Sequence, residues 1–257
     1  MSNDEGMTKT RMTKKLSVLV RHLSIAGSFV IRHSSFVIFF ALALARASPA
    51  APPPTAKEIL ESVRMLESRQ QIDLDGQLRE DEKVIPFHIT QNGPSIRYSF
   101  TDPDEVLQLR LGEDGSRLDL VTDENAQRFP PEKLKEKVRE TGITYEDLTL
   151  EFLYWPNARV LGDETVRTRS CWKLQVVSDS HDSQYWNVVI WVDKASGALM
   201  RMDGYDWDGK IAKRFEVVSA QKIDNRWFLK QMRVEEMKPG TSKVESRTYL
   251  EIKKPAD

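Results

Sequence analysis

The stretch IRYSFTDPDEVLQLRL, residues 96–111, predicts two strands joined by a tight turn. Apolar side chains occupy alternate positions at 96–100 and again at 107–111, on the two sides of Asp102-Pro103. A period of two is the spacing of a strand with one buried face and one wet face. Because so short a turn can join only antiparallel neighbours, the stretch predicts a hairpin within an antiparallel sheet.

The same alternation recurs between residues 72 and 120 and again between residues 172 and 252. Turn signals such as Asn92-Gly93-Pro94 and Asp208-Gly209 separate the segments. Residues 185–192 are apolar at nearly every position, which is typical of a strand covered on both faces. Successive hairpins on this scale curl into a barrel or a deeply curved sheet. The predicted fold class is therefore mainly β (α+β), with about ten to eleven strands.

Two regions have helical spacing instead. Thr55 and Glu58 are spaced as a capping box, and apolar residues follow at helical intervals, which predicts an amphipathic helix over residues 55–68. A charged helix is expected over 132–140, followed by EDLTLEFLYWP at 146–156. As a helix this last segment would be apolar around most of its circumference, so it must be enclosed. It packs into an ordinary core, against a partner, or over a cavity that holds a lipid-like ligand.

The N-terminal residues have the pattern of a secretory signal peptide. Basic residues precede the apolar run FVIFFALALA (36–45), and the small-x-small site Ala45-Arg46-Ala47 follows it. We therefore expect a signal peptide at 1–47 cleaved near Ala47, a Pro-rich spacer at 48–54, and a single domain at 55–257. The predicted location is the periplasm. The alternative is a protein anchored to the inner membrane by an uncleaved signal.

Charge and cysteine content exclude several classes of protein. Removal of residues 1–47 changes the formal charge from -1 to -6, because seven basic and two acidic residues are lost. That balance argues against nucleic-acid binding, which needs a concentrated basic face. The single cysteine, Cys171, forbids an internal disulfide and is expected to be a packed small residue.

No catalytic or cofactor-binding motif emerges from the sequence. Ser180-His181-Asp182-Ser183 contains the residue types of a hydrolase triad, but neighbours in one turn cannot converge as a triad does, so a loop is predicted. The sequence has no His pair at zinc-ligand spacing and no Gly-rich phosphate loop. We therefore expect a protein that is not an enzyme and that uses no cofactor and no metal.

Three segments resemble a known family. TYEDLTLEFLYWP (144–156), WVDKASGALMRMDGYDWDGK (191–210) and KIDNRWFLKQMRVE (222–235), with the arrangement of helix and meander around them, are similar to the LolA/LolB-like outer-membrane lipoprotein-sorting proteins. The resemblance implies an incomplete antiparallel β-barrel closed by two or three lid helices around a hydrophobic cavity. It implies a periplasmic carrier that binds acyl chains of lipoproteins, or phospholipid, for transfer to the outer membrane.

The resemblance also suggests site residues and partners. The candidate lid residues are Leu148, Phe152 and Trp155, and the candidate wall residues of the cavity are Phe100, Trp191, Met200 and Met202. An inner-membrane donor protein and an outer-membrane acceptor protein are the possible partners of a carrier that is expected to be a monomer. One departure is that Gln91-Asn92-Gly93 precede Pro94, where LolA carriers place a functional Arg. A periplasmic sensor that uses the same fold to detect envelope lipid or mislocalised lipoprotein is the alternative function.

Overall fold

The computed structural model of the protein describes residues 52–122, 125–223 and 226–254. The predicted signal peptide and the first part of the predicted spacer, residues 48–51, therefore lie outside the described residues. The helices are α1 (Ala56–Glu67) and α2 (Tyr145–Thr149). The strands are β1 (Gln71–Glu80), β2 (Lys83–Asn92), β3 (Ser95–Thr101), β4 (Asp104–Leu111), β5 (Ser116–Thr122), β6 (Asn125–Arg128), β7 (Asn157–Val166), β8 (Arg169–Val177), β9 (Asn187–Asp193), β10 (Leu199–Tyr205), β11 (Ile211–Ile223), β12 (Arg226–Met237) and β13 (Val244–Ile252).

The described strands form one antiparallel sheet in the order β6-β5-β4-β3-β2-β1-β13-β12-β11-β10-β9-β8-β7. The prediction of ten to eleven strands is wrong, since the sheet has 13. The two edge strands, β6 and β7, are almost entirely exposed, so neither has the alternation that marks a strand in a sequence. The sheet is open, because its edge strands β6 and β7 do not pair with each other.

Inside the sheet the alternation in the sequence predicts the structure well. The opening hairpin pairs Tyr98 with Leu107 and Ile96 with Leu109, with the turn at Asp102-Pro103 as predicted. Strand β9 is buried at each of its seven positions, which confirms that it is covered on both faces. Its even-numbered residues pack into one core cluster, whereas Val189 and Trp191 pack into another on the opposite face.

The predicted capping box of the first helix is present. Thr55 Oγ1 accepts a hydrogen bond from the backbone N–H of Glu58 at 3.3 Å. Glu58 Oε2 in turn accepts from the backbone N–H of Thr55 at 2.7 Å. The buried face of α1 includes Ile59, Leu60 and Val63. These residues belong to the same core cluster as the even-numbered residues of β9, and we call it the second cluster. None of the described helices is long and apolar enough to cross a membrane.

The segment between the edge strands, residues 129–156, crosses from one edge of the sheet to the other; we call it the crossing segment. The helix predicted over 132–140 is instead two 3₁₀ turns, Pro131–Lys133 and Val138–Glu140. The helix predicted through 146–156 is also wrong, because α2 ends at Thr149 and a 3₁₀ turn, Glu151–Tyr154, follows. The break lies at Leu150, whose φ of 53° is left-handed and cannot continue an α-helix.

Candidate functional site

A small apolar cavity lies between the crossing segment and the sheet. Its walls come from β1, β2, β3, β13 and the crossing segment: Leu78, Phe87, Tyr98, Phe100, Val138, Ile143, Leu148 and Leu250. The free space is about 10 Å³, which barely admits one water molecule. The interior beneath the crossing segment is therefore closed, and an acyl chain would enter it only if the walls moved apart.

The seven residues predicted for the lid and wall divide among three core clusters. Phe100 and Leu148 line the small cavity together. Phe152, Trp155 and Met202 belong to the second cluster, which packs α1 on β8 and β9. Trp191 and Met200 belong to the third cluster, on the opposite face of the sheet. Strand alternation separates Trp191 from its neighbours in β9, and apolarity alone does not reveal which face a residue takes when both are covered.

Asp147, on α2, is the centre of a buried polar network. Its carboxylate accepts a hydrogen bond from Lys213 Nζ at 2.8 Å, and the two side chains are only 1% and 5% exposed. Tyr185 Oη donates to the same carboxylate at 2.7 Å and Gln184 Nε2 at 3.1 Å, while the backbone N–H of Thr144 donates at 2.8 Å. These contacts, which we call the Asp147 network, fix α2 to β11 and to the loop before β9.

The neighbouring residue Glu146 adds a second contact with that loop. Ser183 Oγ donates to Glu146 at 2.5 Å, and the backbone N–H of Gln184 donates at 3.0 Å. Burial raises the pKa of the Glu146 carboxyl, and the hydrogen bonds from Ser183 and Gln184 oppose that rise. The loop that contains Ser180-His181-Asp182-Ser183 is thus a loop as predicted, and it holds the crossing segment in place.

The other end of the crossing segment is attached to β1, β4 and β13. The backbone N–H of Gly142 donates to Glu80 Oε2 at 2.9 Å and to Thr248 Oγ1 at 2.8 Å. Arg139 forms an ion pair with Glu105 at 3.1 Å, with both side chains less than one fifth exposed. Polar contacts therefore hold the crossing segment on both sides of Ile143, which lines the cavity.

A larger groove opens at the end of the sheet where β1 begins and β2 ends. Its volume is about 460 Å³, within the usual range of small-molecule sites. The walls combine apolar residues (Ile72, Leu74, Ile223 and Phe228) with polar ones (Gln71, Asp73, Gln91, Asn92 and Arg226). The four apolar residues also belong to, or pack against, the core cluster that contains the small cavity. The groove therefore adjoins the same apolar core.

Glu67 is a titratable group between the groove and the small cavity. Gln91, in the groove, donates through Nε2 to the backbone carbonyl of Glu67 at 2.6 Å. Burial raises the pKa of the Glu67 carboxyl to about 7. Tyr98 lines the cavity, and burial together with the nearby Glu67 charge raises its pKa.

Sequence reasoning did not find the residues that hold the crossing segment. Asp147 and Lys213 are 66 residues apart, and no sequence motif links them. The one signal in the sequence is the capping-box spacing of Thr144 and Asp147. The Asp147 carboxylate that completes this capping box also accepts the hydrogen bond from Lys213. Glu67 carries no signal, since its pKa depends on burial at the end of α1.

The fold and the candidate site together define an open antiparallel sheet with an apolar interior under a crossing segment. The structure is similar to a DUF1329 family protein from Desulfovibrio piger, with 20% identity and a TM-score of 0.58 over 77% of this chain and 91% of that one. It is also similar to a putative outer membrane lipoprotein-sorting protein domain from Vibrio parahaemolyticus, with 16% identity and a TM-score of 0.57 over 76% and 90%.

A third similar structure is a LolA superfamily protein from Nitrosomonas europaea, with 13% identity and a TM-score of 0.56 over 79% of this chain and 93% of that one. The predicted resemblance to the LolA/LolB-like fold is confirmed by these likenesses. Residues 122–256 match a family model described as "Uncharacterized protein", and the chain belongs to that family. A comparison with curated proteins gave no match.

Proposed function

We propose that the protein is a periplasmic carrier that binds the acyl chains of lipoproteins, or lipid, and transfers them to the outer membrane. The observation that supports this most directly is the apolar interior enclosed between the sheet and the crossing segment, in a fold shared with lipoprotein-sorting proteins. The proposal includes no catalytic step and no cofactor. Donor and acceptor proteins at the two membranes are part of it.

Transfer by such a carrier requires two conformations. The cavity of about 10 Å³ is too small for an acyl chain, so the described conformation is the closed one. Each methylene buried from water contributes about 0.8 kcal/mol, so a chain of a dozen carbons supplies about 10 kcal/mol toward displacing the crossing segment. In the open state Phe100 and Leu148 would contact the ligand first, because they line the cavity that already exists.

Export is part of the proposal as well. A signal peptide at 1–47 would deliver the domain at 55–257 to the periplasm, with residues 48–54 as a spacer. Intact-mass measurement of the protein recovered from a periplasmic extract tests this boundary. A mass that begins at Ser48 supports cleavage, whereas a chain retained in the membrane fraction at full length supports the anchored alternative.

Native mass spectrometry of the protein purified without detergent tests the carrier function. We expect bound mass that extracts as phospholipid or as a triacylated peptide, and uptake of a fluorescent acyl probe after delipidation. Leu148→Trp fills the cavity and should abolish uptake. Leu161→Trp is the matched control, because Leu161 is 44% exposed on the edge strand β7. A protein that is free of lipid and takes up no probe would refute the proposal.

A further inference from the structure

Strands β11 and β12 continue beyond the ends of their neighbours. The ladder between β10 and β11 ends at Arg201–Glu216, and the ladder between β12 and β13 ends at Gln231–Glu251. Residues 219–223 and 226–230 therefore pair with each other but not with β10 or β13, and they form a two-stranded ribbon. Five residues of strand span about 17 Å, so the ribbon extends beyond the ends of β10 and β13, and it faces the beginning of β1 across the groove.

The two faces of the ribbon differ. Ile223, Arg226 and Phe228 lie on one face and form a wall of the groove. Trp227 lies on the other face, directly opposite Lys222 in the ladder. Trp227 is 71% exposed, the highest value among the exposed large hydrophobic residues of the described chain. A tryptophan so exposed at the end of a projecting ribbon has no packing role in the domain.

Basic residues lie on both faces of the ribbon, in a protein whose overall charge is acidic. Lys222, Arg226 and Lys230 are exposed on the ribbon, and Lys253 is exposed at the adjacent end of β13. In the sequence from 217 to 230 the single carboxylate is Asp224, whereas residues 48–257 together carry a formal charge of -6. The ribbon therefore concentrates positive charge beside a groove whose walls are partly apolar and include one carboxylate, Asp73.

We propose that the ribbon docks on the surface of a phospholipid bilayer that carries anionic lipid. Trp227 would insert at the level of the headgroups, where the amphipathic indole is favoured, and the lysines would contact lipid phosphates. The proposal rests on the carrier function and extends it, because docking would place the mouth of the groove against the membrane from which lipid leaves or into which it passes. The proposed binding partner of the ribbon is thus the bilayer itself.

Co-sedimentation with large vesicles tests the proposal, using protein expressed from the full-length gene and recovered from a periplasmic extract. The vesicles contain either phosphatidylcholine alone or phosphatidylcholine with 30% phosphatidylglycerol. Attraction to an anionic surface is worth about fivefold per basic residue, so Lys222→Glu with Lys230→Glu should weaken binding by about thirtyfold or more. Trp227→Ser should weaken it about tenfold or more, because a large apolar side chain no longer inserts.

Two matched controls lie at the opposite end of the sheet. Lys238→Glu with Lys243→Glu makes the same change in charge at the exposed turn between β12 and β13. Trp207→Ser removes a 42% exposed tryptophan from the turn between β10 and β11. Both controls should bind anionic vesicles as the original protein does.

The outcomes separate docking from carrying. Equal binding to the two kinds of vesicle, or equal loss in the lysine pair and its control, would overturn the docking proposal. So would binding that is unchanged by Trp227→Ser. Uptake of a soluble acyl probe is measured on the same samples, and Trp227→Ser should retain it. A protein that docks but takes up no probe would refute the carrier function and leave docking intact.

Discussion

Replacement of Lys213 by Met should release α2 from the sheet. At 2.8 Å the attraction between Lys213 and Asp147 is about 6 kcal/mol at an effective dielectric constant of 20, before the desolvation of both ions is subtracted. Removal of one partner of a buried pair costs about 3–5 kcal/mol, because the other charge stays buried without compensation. Tyr185 and Gln184 still donate to Asp147, so we expect a cost of about 3 kcal/mol.

That cost should be local to the crossing segment. A loss of about 3 kcal/mol raises the population with α2 undocked more than a hundredfold. Hydrogen exchange followed by mass spectrometry should show the loss of protection in residues 144–155, while β3 and β4 keep theirs, because local opening exposes only the segment that moves. If the carrier proposal is correct, uptake of an acyl probe should become faster in the same variant.

Lys173→Met is the control. Lys173 and Glu164 are also 2.8 Å apart, but their side chains are 32% and 42% exposed. An exposed pair contributes at most about 1 kcal/mol. The reasoning is refuted if Lys213→Met costs no more than Lys173→Met. It is also refuted if Lys213→Met lowers protection equally throughout the sheet, since Asp147 would then belong to the global core.

Two further predictions concern the cavity wall and the groove. Gly76→Ala should lower the free energy of unfolding in urea by about 1–3 kcal/mol, because the added Cβ would lie 2.5 Å from Phe87 Cζ and 3.0 Å from the carbonyl oxygen of Glu251. Phe87→Leu in the same protein should restore part of the loss. An absence of rescue would contradict the assigned contact. The folded-state pKa of Glu67 is raised from 4.5 to about 7, so its contribution to stability is complete below about pH 4.5 and is lost as the pH rises through about 7. Glu67→Gln should flatten the dependence of the urea midpoint on pH across that window, and an unchanged slope would contradict the assignment.

The parts of the fold that sequence predicts are those with local causes. A period of two at 96–111 places Tyr98 opposite Leu107, since alternation and a short turn together fix the pairing. The capping box at Thr55 likewise depends only on Glu58, three residues away. Strand β7 was not predicted, because Val166 is its single buried residue. An exposed edge strand shows no alternation of apolar and polar residues.

The candidate site depends on contacts between distant residues, which the sequence does not record. Apolar spacing through residues 146–156 predicted one continuous helix. The helix instead ends before Leu150, because the left-handed backbone of Leu150 cannot continue it. Trp191, a predicted wall residue, packs into the third cluster, because alternation along β9 directs it to the face opposite Ile190. The pairing of Asp147 with Lys213 requires the completed sheet, and no local rule predicts it.

The strand order has a consequence for how the chain folds. In the described sheet, consecutive strands account for every pairing except that of β1 with β13. Strands β1–β6 and β7–β13 are thus two meanders that can each form from hairpins, at little cost in loop closure. The pairing of β1 with β13, in which Leu78 faces Leu250, joins the beginning of the domain to its end. Most of the entropic cost of loop closure therefore falls on this pairing. We therefore expect the pairing of β1 with β13 to limit the folding rate.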